Sequence, residues 1–471
     1  MRCLTRLLTA VLVALLLTVS VDVQTLVASP TLAFLNVTVI DATGAPPKPD
    51  QIVVVSDGRI EAVGDSGDVL IPAGAQSIDA TGQFMIPGLW DLHVHTRYEG
   101  IDHLRLLLVN GVTTARDMAG PWNHLTQIKL WRNEIASGER LGPRVLAAGP
   151  LLDGPGSPWS HSAIVEDPEV GRRTVRRLLA EGVDFVKVYG GLSRESFFAV
   201  VDASRRAGLP FVGHVPRALS VGEVSDAGQR SIEHLDSILR ASSELEDQLT
   251  TLLSEQPLRR ARILVDSFST AKLEELADRL QRNGTSVVPT LSLYRTRLGV
   301  ARGEESIVDG ERLLYIPASY RTSWEATRRG RLNDETILFD KYVELVGLLH
   351  RSGVQILAGT DVVKPFFVPG FSLHDELGLL VAAGLTEMEA LQAATRDAAR
   401  FVGLPEVGTI ERDMVADLVL LDGNPIESID HTRSVAAVVS AGQFFGRVEL
   451  EAISSDIRNN AASWVGGPTG R

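Results

Sequence analysis

Cysteine is almost absent from this sequence, and so is any excess of positive charge. The single cysteine, Cys3, among 471 residues excludes a disulfide framework and any zinc site built on cysteine. Lys and Arg number 46 against 59 Asp and Glu, and the resulting net charge of −13 argues against nucleic acid as the main partner. The composition, 44% hydrophobic and 22% charged, is that of a globular protein and excludes global disorder.

The N-terminus carries an apolar run, residues 7–21, after a start that contains two arginines. This run is shorter than the about 20 apolar residues that a transmembrane helix needs. A charged start, a short apolar stretch and small residues after it are typical of a secretory signal, here residues 1–28, with cleavage after Ser20 or Ala28. The alternative is an uncleaved anchor. In both cases we expect an exported, periplasmic or secreted protein, and without an anchor the mature form has no membrane span.

Short alternating apolar segments, punctuated by Gly and Asp, occur near both ends of the chain, in 31–80 and 404–450. Such segments are typical of antiparallel strands. Because neither set alone is large enough to bury a core, we expect one small β-sandwich domain built from both termini. The polar C-terminal tail, 451–471, is expected to be loose at its end.

The central region, 81–403, alternates apolar strand-like runs with amphipathic helical segments. This alternation is typical of an α/β protein with a parallel sheet and crossover helices. Eight such units predict a (β/α)8 barrel of the triosephosphate-isomerase (TIM) type. Two longer charged, helix-prone stretches, 242–284 and 295–351, are expected as insertions over the barrel. The expected strands are 84–94, 112–117, 144–149, 183–189, 210–215, 230–234, 285–290 and 354–360.

Two histidines in the first expected barrel strand, His93 and His95 in WDLHVHT, are the first sign of chemistry. Residues two apart on an extended strand point to the same side. Neutral imidazoles suit a borderline divalent metal such as zinc. Taken alone, the pair is equally compatible with ordinary surface or hydrogen-bonded histidines.

Four further residues of metal-site type lie at the ends of other expected strands: Lys187, His214, His234 and Asp361. Active sites of TIM-type barrels are built at the C-terminal ends of the strands. Six such residues converging at one rim therefore predict a metal centre.

Lys187 requires a separate argument, because an ammonium group cannot ligate a metal and is costly to bury near one. Desolvation and nearby positive charge lower the pKa of a lysine and leave a neutral amine. Reaction of that amine with carbon dioxide would give a carbamate, whose two oxygens can bridge two metals. The alternative is a lysine that snorkels from the strand end or pairs with an acid.

The order HxH, Lys, His, His, Asp on successive strands resembles the metal-dependent amidohydrolase superfamily, in particular its imidazolonepropionase-like and Xaa-Pro-dipeptidase-like members. The resemblance covers nearly the whole mature chain. It includes GLWDLHVH, GTD with the later PGFSLHDELGLLVAAGLTEMEALQAATRDAARFVGL, and the closing GTIERDMVADLVLLDGNP.

The resemblance implies a centre of two divalent metal ions, with zinc the first choice. The more buried ion would be held by His93, His95 and Asp361, and the second by His214 and His234. The carboxylated lysine and a hydroxide would bridge the two ions. The aspartate would take the proton of that hydroxide and pass it to the leaving nitrogen, so it and the lysine are the expected catalytic residues.

Contacts to the substrate are expected from three residues near the strand ends. Tyr189 shares a strand face with the bridging lysine, His161 lies on a rim loop, and Arg217 could bind a substrate carboxylate. The alternative for each is a packed or solvated side chain. Asp91 and Asp117 are expected to orient ligand histidines as hydrogen-bond acceptors.

The predicted function is hydrolysis of an amide-type carbon–nitrogen bond in a small substrate, such as a dipeptide, an N-acyl amino acid or a cyclic amide. Deamination is less expected, because His214 is followed by Val215 and not by the Glu that deaminase-like members carry. The alternatives are a lactonase or phosphoesterase on the same metal centre, or a non-catalytic barrel that binds a ligand. A homo-oligomer is left open.

Overall fold

The computed structural model describes residues 30–256, 259–308, 310–325 and 332–468. The expected secretory signal, 1–28, lies outside these ranges. Within them, no helix combines the length and the hydropathy needed to cross a membrane.

The strands of these ranges form one mixed sheet near the chain ends and two parallel sheets in the centre. In chain order they are β1 Leu32–Val39, β2 Lys48–Ser56, β3 Arg59–Asp65, β4 Gln76–Asp79, β5 Phe84–Pro87, β6 Leu89–Val94, β7 Val112–Asp117, β8 Arg144–Ala147, β9 Leu152–Asp153, β10 Ala163–Ile164, β11 Val186–Val188, β12 Phe211–Gly213, β13 Ser231–Glu233, β14 Ser286–Val288, β15 Leu418–Leu421, β16 Val435–Ser440 and β17 Gln443–Phe445.

The helices lie mainly between the strands of the central region. They are α1 His103–Val109, α2 Trp122–Ala136, α3 Pro168–Ala180, α4 Arg194–Ala207, α5 Val221–Asp226, α6 Asp236–Ala241, α7 Leu249–Glu255, α8 Arg260–Asp266, α9 Thr270–Asn283, α10 Leu291–Arg302, α11 Glu305–Val308, α12 Ala318–Glu325, α13 Leu332–Arg351, α14 Phe371–Ala382, α15 Glu387–Ala393, α16 Arg396–Val402 and α17 Arg447–Ser463.

Strands from both ends of the chain share one eight-stranded sheet, in the order β17-β16-β15-β5-β1-β2-β3, with β4 paired to β1. The rings of Phe34 in β1 and Phe444 in β17 lie 5.8 Å apart, although three strands separate them in the sheet. In a flat sheet, strands four positions apart would be about 19 Å apart at about 4.8 Å per strand. The sheet therefore curls around its own core, in which Leu32, Val53 and Leu418 are buried.

The central strands form two parallel sheets, β6-β7-β8 and β10-β9-β11-β12-β13-β14. Backbone hydrogen bonds connect the sheets at both edges. On one side, Asp184 N–H donates to the carbonyl of Ala147 over 3.0 Å. On the other, the segment 354–362 lies between β14 and β6, since Val287 N–H donates to Gln355 and Leu92 N–H to Ala358. This arrangement confirms the predicted α/β fold class.

The first expected strand, 84–94, is divided between β5 of the terminal sheet and β6 of the central region. The eighth, 354–360, also differs from the prediction, because the segment 354–362 forms only isolated bridges, Val287 with Ile356 and Val94 with Val362. Gly359 packs closely against β14, since a Cβ there would lie 2.6 Å from the Val288 side chain. Backbone hydrogen bonds nevertheless join the segment to both neighbours: Leu357 N–H donates to Val287, and Asp361 N–H donates to His93.

The expected C-terminal tail, 451–471, begins as a helix that ends at Ser463, and the loose end expected after it stays a prediction. Most of 451–471 belongs to α17, whose Leu450, Ile457 and Ala461 are buried. These residues recur at spacings of seven and four and so share one helix face. Leu450 packs in a cluster with Leu108 of α1. The segment is polar on average, so its sequence did not indicate this narrow apolar stripe. The boundaries of the two expected domains stay a prediction.

Candidate metal centre

The ends of the parallel strands bring the expected ligands together. His93 lies in β6 and His95 directly follows it, His214 follows β12 and His234 follows β13. Lys187 is the middle residue of β11. All line one cavity of about 420 Å³, together with Asp361. The convergence predicted from strand ends is thus present in the fold.

Asp361 lies at the centre of the histidines. Its Oδ1 is 3.0 Å from Nε2 of His95 and 3.5 Å from Nε2 of His93, and its Oδ2 is 4.0 Å from Nε2 of His234. His93, His95 and Asp361 each offer one ligand atom within 4.8 Å of the other two. Asp361 and His234 both adopt a left-handed backbone, with φ of 69° and 67°. Such strain in residues other than glycine is typical of functional sites.

The second group of ligands adjoins the first. The ring of His234 is 5.0 Å from that of His93 and 4.9 Å from that of His214, measured between centroids. Lys187 is only 2% exposed. Its aliphatic stem lies over Gly213, where a Cβ would come 3.1 Å from Lys187 Cδ and 2.2 Å from a backbone oxygen. Glycine at that position therefore makes room for both the lysine and the strand pairing.

Hydrogen bonds to the outer ring nitrogens orient three of the imidazoles. Nδ1 of His93 is 2.9 Å from Glu233 Oε2, and Nδ1 of His234 is 2.8 Å from Thr290 Oγ1. Nδ1 of His95 faces the carbonyl of Ala119 at 3.4 Å. A partner on Nδ1 holds the ring in place and leaves Nε2 for a metal.

The sequence pointed to other acceptors for this role. Asp91 instead accepts hydrogen bonds from the Thr360 hydroxyl and backbone and from the His93 backbone N–H. Asp117 accepts from the hydroxyl and backbone N–H of Thr96 and lies 3.2 Å from Nε2 of His124. Neither carboxylate contacts a ligand imidazole, because both tie neighbouring backbone segments to the strand ends. The overlooked signal was an acid, Glu233, inside a predicted strand and directly before His234.

The protonation states fit a divalent cation. Burial lowers the pKa of His95 to about 4 and lowers that of His93 and His214 well below the usual value. Burial raises the pKa of Asp361, but the Lys364 ammonium and the imidazoles outweigh it and hold this pKa well below its usual range. Among the described residues, Asp361 Oδ1 and His214 Nδ1 are buried without a hydrogen bond. Neutral imidazoles and an ionised carboxylate are a donor set that zinc accepts.

Burial also lowers the pKa of the Lys187 amine, to about 8. Within the described part of the chain, no carboxylate lies within ion-pair distance of its Nζ. A buried amine of this kind is partly neutral at neutral pH and can act as a nucleophile.

A family sequence profile, described as the Amidohydrolase family, matches residues 84–445 of this chain. The chain belongs to the amidohydrolase family. An imidazolonepropionase from Pseudomonas entomophila is 23% identical over 386 residues, which is 79% of this chain and 87% of the relative. The predicted family resemblance is thereby confirmed, and the protein is a hydrolase that acts on carbon–nitrogen bonds.

Solved structures of an amidohydrolase and of a candidate prolidase are also similar to this chain. A bottromycin amidohydrolase is similar with a TM-score of 0.73 and 26% identity, over 92% of this chain and 90% of that one. A candidate prolidase from Bifidobacterium longum is similar with a TM-score of 0.65 and 25% identity, over 91% and 99% of the two chains. Members of the family typically use a divalent metal, and His93, His95 and Asp361 form a possible site for one in this amidohydrolase.

A buried ion-pair network lies beside the candidate metal site of the amidohydrolase, between the parallel strands. Arg116 in β7 is 1% exposed and donates to Glu233 Oε1 over 2.9 Å and to the carbonyl of Leu92 over 2.6 Å. Ser231 also donates to Glu233 Oε1, over 2.5 Å. Burial raises the pKa of Glu233, but Arg116 and His93 outweigh it and lower the pKa below its usual range. An ionised Glu233 thus connects a fixed guanidinium to a ligand imidazole.

Two of the three expected substrate contacts line the cavity of the amidohydrolase. Tyr189 lies with its ring centroid 4.2 Å from that of His214. His161 is buried beside Trp159, and burial lowers the pKa of this imidazole to about 3, so it is neutral. Arg217 is exposed and is not among the cavity-lining residues; its backbone N–H donates to Gly190. It was chosen by its position after a strand, and its guanidinium lies against Gly190, the residue after Tyr189.

The cavity has further lining residues, which come largely from loops and from α10. Of these, the sequence suggests only Tyr294, by its position after the seventh expected strand. These further lining residues are Arg97, Ala119, Leu151, Trp159, Asp236, Arg260, Leu293, Tyr294, Arg297 and Lys364.

Proposed function

We propose that this amidohydrolase is an exported enzyme that hydrolyses an amide-type bond of a small substrate at a centre of two divalent metal ions. The substrate would be a dipeptide, an N-acyl amino acid or a cyclic amide. The observation that carries the proposal is the convergence of six residues on one cavity, named above as the expected ligands. The similarity to a bottromycin amidohydrolase and to a candidate prolidase supports an amide or peptide substrate.

Four histidines and Asp361 would hold the ions, with Lys187 between the two groups of ligands as a carbamate. The carbamate forms when the neutral amine attacks carbon dioxide, so that an N–C bond is made and one proton is released. Zinc suits the nitrogen-rich donor set. A bound divalent ion lowers the pKa of water and polarises a carbonyl group.

The protein's own groups would move the proton. Asp361 is ionised, and its Oδ1 lies 3.0 Å from His95 Nε2 and 3.3 Å from Lys364 Nζ. It would accept a proton from the attacking water and give it to the leaving nitrogen as the C–N bond breaks, which yields a carboxylic acid and an amine. Tyr189 on the cavity wall would donate its hydroxyl hydrogen to the substrate carbonyl.

Replacing Lys187 with alanine tests the proposed centre. We expect K187A to bind less metal and to lose at least about 100-fold in kcat/KM, because loss of a bridging ligand should exceed the 10- to 100-fold effect of losing a supporting residue. Metal analysis and a screen of dipeptides and N-acyl amino acids measure both quantities. The matched control is K129A, which removes a lysine that is 40% exposed and paired with Glu181.

Adding bicarbonate distinguishes a carboxylated Lys187 from an unmodified one. Wild-type protein depleted of carbon dioxide and metal should regain activity only when both are restored, whereas K187A should not respond. Wild-type metal content and turnover in K187A would contradict the bridging role.

Export is supported by the sequence of the N-terminus, residues 1–28. We expect the protein from the producing cell to be recovered outside the cytoplasm and to begin near residue 21 or 29. N-terminal sequencing of the fractionated protein measures this. A full-length chain that begins at Met1 and stays in the cytoplasmic fraction would contradict export.

A further inference from the structure

The cavity is lined by an excess of cations that the metal centre does not use. Among the described residues that line it, the carboxylates are Asp236 and Asp361, whereas the cations beyond Lys187 are Arg97, Arg260, Arg297 and Lys364. Asp236 is already engaged, since it accepts from the hydroxyls of Tyr294 over 2.8 Å and Tyr342 over 3.0 Å. The other carboxylate faces the histidines.

Lys364 lies closest to the reacting centre. Its side chain is 21% exposed, its Nζ is 3.3 Å from Asp361 Oδ1, and it lies 5.5 Å from the ring centroid of Trp159. Its ammonium group is therefore within reach of any group next to the scissile bond.

Arg297 is a second cation that lines the cavity. It is exposed on α10, and its guanidinium lies 5.8 Å from the ring centroid of Tyr294. No carboxylate of the described residues lies within ion-pair distance of it. Arg297 and Lys364 line the same cavity, and among the described residues Lys364 forms an ion pair with Asp361 alone. Cations in such a position are stabilised when an anion binds to them.

We propose that Lys364 and Arg297 form a subsite for the carboxylate of the substrate. The inference rests on the proposed function and narrows it. Since Lys364 adjoins Asp361, the carboxylate must lie close to the scissile nitrogen, as the α-carboxylate of an N-acyl amino acid or dipeptide does. A neutral cyclic amide has no group for this subsite. The role that the sequence suggested for Arg217 thus belongs to a loop lysine and a helix arginine.

The test compares matched substrates that differ only in this charge. Panels of N-acetyl amino acids and dipeptides, each with its C-terminal primary amide, are assayed on the metal-loaded protein. Wild type should prefer the free carboxylates in kcat/KM by about 10- to 100-fold, the range of one charge-assisted hydrogen bond. R297M should lose most of this preference, through a higher KM for the free carboxylates. R412M, an exposed arginine outside the cavity, is the control and should behave as wild type.

Calorimetric titration of each carboxylate and its primary amide tests the subsite independently of the proposed function. Tighter binding of the carboxylates by wild type, lost in R297M, supports the subsite even where neither compound is cleaved, and in that case only the proposed function fails. Equal binding of carboxylates and amides by wild type overturns the subsite. So does an R297M variant that weakens both members of each pair equally.

Discussion

Replacing Asp361 with asparagine is expected to reduce kcat by about 10²- to 10⁴-fold, the usual contribution of a general acid–base group. An amide cannot take up the proton of the attacking water, although it preserves the shape of the carboxylate. Asp361 is 4% exposed, and its two oxygens face the imidazoles of His93, His95 and His234. Steady-state kinetics on a substrate found in the screen measures the loss.

Metal analysis of D361N distinguishes the two roles assigned to this residue. A variant that keeps its metal but not its turnover supports proton transfer, whereas loss of both supports ligation. D278N, which removes an exposed carboxylate on α9, is the matched control and should keep wild-type kcat. Wild-type turnover and metal content in D361N would remove the residue from the mechanism.

Replacing Glu233 with alanine is expected to cost about 3–5 kcal/mol of unfolding free energy, because it leaves the guanidinium of Arg116 buried and unpaired. The two side chains are 0% and 1% exposed and 2.9 Å apart. His93 loses the acceptor of its Nδ1 in the same variant. Urea denaturation measures the change in free energy, and metal titration should show weaker binding.

The double variant E233A/R116M provides the control for this prediction. It removes both charges, so its loss of unfolding free energy should be smaller than the sum of the losses in the two single variants.

The stability that Glu233 contributes should depend on pH, because folding lowers the pKa of this carboxyl group. The contribution is fully present above the ordinary pKa of 4.5 and is lost as the pH falls through the folded-state pKa. The gap between wild type and E233A should therefore narrow in acid. A loss below about 1 kcal/mol at neutral pH would contradict a structural role for the pair.

Some residues that support the candidate metal site escaped sequence analysis because their contacts join distant parts of the chain. Glu233 points into the barrel and contacts His93, which is 140 residues earlier in the chain. No local spacing encodes such a contact. Asp91 and Asp117 were chosen because they lie near the ends of expected barrel strands, and the fold uses both for backbone hydrogen bonds.

The ligand pattern could be predicted because it depends on local rules. Residues two apart on a strand share a face, and parallel strands of a barrel end at one rim, so His93, His95, Lys187, His214, His234 and Asp361 could be placed together before any coordinates. Hydrophobic patterning likewise predicted the fold class. It did not predict that 354–360 forms only isolated bridges or that α17 docks its apolar stripe on α1, since both depend on neighbours distant in sequence.

The character of the substrate cavity was decided only in three dimensions. Lys364 and Arg297 come from a loop and a helix that no motif marks, and Arg217, which follows a strand as the ligands do, lies outside the cavity. Strand ends are rigid, so their side chains can be located from the alternation of the chain. The loops and helices beyond them are positioned by packing across the whole fold, so their charges meet only when the chain has folded.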